Sequence, residues 1–110
     1  MSIQIINLRD EAEKLRGRHW QSRDVAYVNG HALKMTSAKG EYAWHKHDDS
    51  DEMFLVHKGK LTIKIKDHPD VVLNSGEAAV VPKGVWHCPK SDSESIILLF
   101  EPVHLKMTTK

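Results

Sequence analysis

Leu61-Thr62-Ile63-Lys64-Ile65-Lys66 alternates apolar and polar side chains without a fault, the mark of a β-strand with one buried and one wet face. Turn residues bracket it: Lys58-Gly59-Lys60 before, and Asp67 to Asp70, with Pro69, after. Working outward, the same punctuation recurs. Residues 71–73 stop at Asn74-Ser75-Gly76, residues 77–81 stop at Pro82-Lys83-Gly84, residues 85–88 are a short strand, and the apolar run 96–100 is a last strand closed by Glu101-Pro102. Upstream, residues 52–56 and 41–47 flank the polar loop 48–51, and Gly40 marks a turn. Residues 25–28 and 31–36 form a hairpin about Asn29-Gly30, a strong short-range turn signal. About eight or nine short strands at this spacing predict an antiparallel barrel or two-sheet sandwich. A lone flat sheet would leave an apolar face and two edges bare. Helix signal is confined to the start, where Asn7 or Asp10 can cap a turn or two through Leu15 and Gly17 ends it.

A chain of 110 residues suits one domain with its own core. The pattern places the barrel between about residues 24 and 102, with an N-terminal segment 1–23 and a short loose tail 103–110. Sixteen Lys and Arg against fifteen Asp and Glu leave a net charge of +1, with no basic footprint for nucleic acid or an anionic membrane. The longest apolar run, residues 96–100, is too short for a spanning helix. The start turns charged before a signal-peptide core forms, and the lone cysteine, Cys88, can close no internal disulfide. A cytoplasmic protein is expected.

Eight histidines are the unusual count. His45 and His47 stand two apart, so in a strand both project from one face, while Tyr42, Trp44 and Lys46 face the other way. The four-residue loop 48–51 brings Glu52 alongside them, and His87 opens a later strand after the Pro82-Lys83-Gly84 turn. Taken alone, His45 and His47 are more simply two solvated histidines; the nearby carboxylate and the downstream histidine shift that reading. Three neutral imidazoles and a carboxylate suit one divalent transition ion, with Fe, Mn, Ni, Zn and Cu not distinguished.

The stretch from Gly40 to Gly59, with His45, His47 and Glu52, resembles the first motif of the cupins, and the stretch from Gly76 to His87, with Pro82 and Gly84, resembles the second. The resemblance implies an all-β double-stranded β-helix, a jelly-roll barrel, here with a short N-terminal helical turn. It also implies His45, His47, Glu52 and His87 as metal ligands. Two departures stand: one residue fewer lies between Gly40 and His45 than the family usually has, and Ser91 occupies a position where an asparagine is common. Neither position supplies a ligand.

Other residues have simpler readings. Asp51 is the fallback carboxylate if Glu52 faces outward, and Asp48 and Asp49 are solvated loop charges. Cys88 faces away if His87 faces in. His19, His31, His57, His68 and His104 lack partners at ligand spacing, and Lys34, Lys64 and Lys66 are wet-face residues. Met35 and Phe54 are expected to line an apolar pocket above the metal. Tyr42, Trp44 and Trp86 are core or interface aromatics, with Trp44 and Trp86 a candidate dimer patch beside a strand-like N-terminal segment carrying Ile3, Ile5 and Leu8; a homodimer is expected.

These residues point to a metal-dependent enzyme of a small molecule, dioxygenase-like or, as many small cupins resembling this one, sugar-phosphate-isomerase-like. The alternative is a non-catalytic module that binds a small ligand or senses a metal. No catalytic residue, substrate or reaction is assigned by sequence.

Overall fold

A computed structural model describes residues 1–110. The elements follow as α1 (Leu8–Glu13), β1 (Arg23–Val28), β2 (His31–Glu41), β3 (His45–Lys46), β4 (Glu52–Lys58), β5 (Lys60–Ile65), β6 (His68–Asn74), β7 (Ala78–Val81), β8 (His87–Pro102) and β9 (Thr108–Thr109). The strands pair antiparallel in an all-β jelly-roll architecture with one short helix. No helix is long and apolar enough to cross a membrane.

β8 is the hub. His87 to Lys90 pair with β5, His87 also faces His45 of β3, and Ile96 to Phe100 pair with β4 and β2. The sequence reading broke this strand in two, because residues 89–95 carry a proline and six polar side chains. The chain stays extended there by a bulge: Ala38 pairs with Ser95 but Gly40 with Ser91, so Asp92, Ser93 and Glu94 swell outward opposite Lys39. Ser91 and Ser95 turn inward, with their hydroxyls 2.9 Å from each other and 2.8 and 3.1 Å from the Lys60 carbonyl. Such bulges let one strand serve two layers. Gly40, expected as a turn, is instead the bulge residue on β2, with φ +75°. In turn, residues 41–47 are not one strand, since Glu41 ends β2 and only His45 and Lys46 form β3.

Both faces of the 96–100 run are covered, which is why it is apolar throughout. Ile97 and Leu99 join Phe54, Val56, Leu61 and Ile63 in the inner core. Ile96 and Leu98 pack outward on Leu15 and Met35, beneath Leu8 and Ala12 of α1. Asn7 caps that helix by accepting from the Asp10 amide at 3.1 Å. The helix ends at Glu13, and Leu15 continues as a buried plug, 3% exposed.

Three expectations change. The N-terminal residues before α1 form no strand, and Ile3 and Ile5 are exposed. Trp44 and Trp86 form no bare patch, because Lys110 and Lys46 lie over their rings at 5.3 to 5.8 Å. The tail is not loose: β9 pairs with β3, and the Lys110 amide donates to the Trp44 carbonyl at 3.2 Å.

Gly59 makes the β4–β5 turn at φ +99°, and a Cβ there would collide with Ser95, whereas a Cβ at Gly40 meets nothing. Gly40→Ala should therefore cost only the left-handed backbone penalty, about 1 kcal/mol. Gly59→Ala should cost about 3 kcal/mol or more. Urea denaturation of the two variants checks this; equal losses would show that the Ser95 contact yields freely.

Candidate metal centre and cavity

Parity along the backbone delivers the cluster. His45 and His47 flank the outward-facing Lys46, Glu52 opens β4, and His87 opens β8 directly across the ladder from His45. All four side chains are buried, and one donor atom from each lies within 4.8 Å of every other. The four residues that the sequence brought forward do meet at one point.

Their orientation follows from backbone carbonyls. His45 Nδ1 lies 2.8 Å from the Ala43 carbonyl, His87 Nδ1 2.8 Å from Val85, and His47 Nδ1 2.7 Å from Lys106. A carbonyl only accepts, so each Nδ1 carries the proton and each neutral ring keeps its Nε2 lone pair for the centre. His47 Nε2 and His87 Nε2 stand 3.3 and 3.4 Å from Glu52 Oε1. These three atoms are fully buried with no hydrogen-bond partner, an arrangement that costs about 1–3 kcal/mol per group unless something fills it. A dication satisfies all of them at once, so the donor set fits a metal ion.

Where no cation sits at that point, protons on Nε2 compete for it by hydrogen-bonding Glu52. Burial opposes ionisation of Glu52, yet the imidazoles of His47 and His87 outweigh it and hold the carboxyl at about 2. Burial pushes His45 below the usual imidazole range. For His47 burial acts the same way, but Glu52 and the Lys106 carbonyl prevail and lift it.

His45, His47 and Glu52 open onto a cavity of about 230 Å³ with His87 buried behind them. Phe54 lines it, as expected, with Leu61, Ile97 and Leu99 at its base and Trp20 and Tyr42 on its wall. Met35 does not. It lies fully buried on the opposite face of β2, against Leu15, because α1 and its plug cover that face. The same inversion turns Lys34, read as a wet-face position, into the cavity, with Thr36 beside it. Glu101, unremarked in the sequence, is also there, 6% exposed, in step with Ile97 and Leu99 along β8. Burial, then the Glu52 carboxylate, pushes its carboxyl up to about 7.

The remaining candidates lie elsewhere. Asp51 accepts from the Lys83 amide at 2.9 Å and leaves the site to Glu52. Cys88 is buried on the other face of β8, 3.6 Å from Glu41; burial and that carboxylate push its thiol up to about 11, leaving no thiolate at neutral pH.

Residues 105–109 form a strap over the cavity. Leu105 and Met107 line it, Lys106 orients His47, and Thr108–Thr109 pair with His45–Lys46. Ending the chain after His104 should lower metal affinity about 10- to 100-fold, read by competition with a chromogenic chelator, while thermal unfolding stays cooperative. Unchanged affinity would show that His47 needs no such partner.

The family model described as Cupin domain matches residues 33–101. The Bacillus subtilis (strain 168) protein YdbB is 35% identical over 95 residues, covering 86% of this chain and 83% of its own. A cupin-2 domain containing protein from Shewanella frigidimarina superposes with a TM-score of 0.85 at 38% identity, over 89% of this chain and 94% of that one. The fold is shared, at 16% identity and a TM-score of 0.75, by the hydroquinone 1,2-dioxygenase PnpCD, solved with Cd2+ and 4-hydroxybenzonitrile, over 93% of this chain and 80% of that one. With both motifs, the barrel and the matched span in agreement, the chain belongs to the cupin family.

Proposed function

We propose that the protein is a metal-dependent enzyme of the oxygenase type acting on a small, largely apolar, oxygenated molecule. Its ligands to one Fe, Mn, Ni, Zn or Cu ion would be His45, His47, Glu52 and His87. The observation that carries the reading is the convergence of three lone-pair-bearing Nε2 atoms and one carboxylate at a buried point where His47, His87 and Glu52 have no other partner. A transition ion held there supplies Lewis acidity and one-electron chemistry to an oxygenated ligand.

The chain's own residues do the rest. Phe54, Leu61, Ile97 and Leu99 give the ligand an apolar seat, and Leu105 and Met107 of the strap shield it from water. Exclusion of water strengthens each polar contact inside. Thr36, Lys34 and Glu101 offer the polar contacts that fix orientation. This lining favours the oxygenase reading over a sugar-phosphate one: the cavity's one lysine faces Glu101, whereas Lys46 lies over Trp86 and Lys83 is exposed. The dioxygenase that shares the fold is in keeping with it.

Protein purified without a histidine tag should retain close to one ion per chain by elemental analysis, and the variant His45→Ala/His47→Ala should lose at least about tenfold of it. Unchanged content in the variant would end the ligand assignment. Because imidazole must be neutral to bind, affinity should fall below about pH 6. Iron(II)-loaded protein should consume oxygen with a member of a panel of phenols, catechols, thiols and diketones. Metal retention without consumption across the panel would favour the non-catalytic binding module.

A further inference from the structure

Lys34 and Glu101 are the charged groups that line the cavity beyond the histidine and Glu52 cluster. Lys34 projects from β2 and Glu101 from β8, adjacent strands on which Lys34 pairs with Leu99 and Ala32 with Glu101, so the two side chains sit diagonally. Continuing the β4 register, in which Met53 pairs with Phe100, places Glu52 beside Glu101. A row Lys34–Glu101–Glu52 therefore crosses three strands from the cavity's far wall to the metal cluster. The Lys34 Nζ and Glu101 Oε1 are 3.9 Å apart, too far for a hydrogen bond, although their side chains are only 20% and 8% exposed. The two form an ion pair without a direct hydrogen bond, so each keeps hydrogen-bonding capacity that a bridging group can use.

The bridging chemistry is restricted. Lysine only donates, and an ionised carboxylate only accepts. A hydroxyl does both: its oxygen accepts from Lys34 while its hydrogen goes to Glu101. A ligand carboxylate cannot, because its oxygens would face Glu101 with Glu52 behind it. A methyl group satisfies neither of those hydrogen-bonding capacities. The space is that of one ring, since a cavity of about 150 Å³ holds benzene and this one is about 230 Å³. Trp20, Tyr42 and Phe54 supply aromatic walls.

We propose that the Lys34–Glu101 pair is the specificity element of the cavity and selects a single-ring phenolic ligand by its neutral hydroxyl, rejecting carboxylate and unsubstituted analogues. The inference rests on the proposed function only in placing the ligand in the same cavity; the pair contributes no bond to the metal.

The test is binding of 4-methylphenol, toluene and 4-methylbenzoate to the protein as purified, by calorimetry or ligand-observed NMR at about pH 8, with metal content measured on the same samples. Wild type should prefer 4-methylphenol at least about tenfold over both others. Lys34→Met should abolish that preference. Glu101→Gln removes the opposing charge beside Lys34, so 4-methylbenzoate should gain about tenfold, a change that a merely structural role would not produce. A wild type that fails to discriminate, a Lys34→Met variant that still does, or a Glu101→Gln variant that gains nothing for the carboxylate overturns the proposal. A protein that retains no metal yet shows the full pattern supports it and overturns the metal reading alone.

Discussion

Three hydrogen bonds between imidazole Nδ1–H groups and backbone carbonyls govern the chemistry of this barrel. Each ring alone could turn either nitrogen inward. Tied to Ala43, Val85 and Lys106, the three turn Nε2 toward one point, where the Glu52 carboxylate meets them. Two of the carbonyls lie two residues upstream of the histidine they hold, so local backbone suffices for His45 and His87. The third comes from a segment 59 residues away, which makes the C-terminal strap part of the site rather than an appendage. Oriented donors with locked rings are what distinguish a metal centre from a cluster of histidines.

The cavity in front of that centre combines two environments. Its base is continuous with the inner core, through Phe54, Leu61, Ile97 and Leu99, so its shape is as rigid as the packing of the barrel. Its far wall carries Lys34, Thr36 and Glu101. Burial and the neighbouring Glu52 carboxylate act on Glu101 in the same direction, and its carboxyl rises to about 7 while that of Glu52, facing two imidazoles, falls to about 2. Adjacent carboxylates thus differ because one looks at nitrogen donors and the other at a carboxylate.

Much of the fold was legible because period and punctuation are local properties. The fault-free alternation of residues 61–66 reports β5, and the placement of Asn29-Gly30 reports the first hairpin, whose strands pair as expected. The bulge at residues 92–94 was not legible. Polar residues in sequence look like a loop, and only the inward turn of Ser91 and Ser95 onto the Lys60 carbonyl shows that the strand continues. Met35 and Lys34 were assigned to the wrong faces for a related reason. Alternation says that two neighbours face opposite ways, but which way is in depends on what covers the sheet. Here α1 and Leu15 cover the outer face and take Met35.

The residues themselves determined the barrel and the identity of the cluster, since His45, His47, Glu52 and His87 are brought together by strand parity and short turns that any β-barrel of this pattern must obey. Tertiary structure alone decided the rest: the tautomers, the strap that holds His47, and the diagonal placement of Lys34 and Glu101 in the cavity before the histidine cluster. These depend on contacts between segments far apart in the chain, and no local period encodes which distant backbone will arrive to complete them.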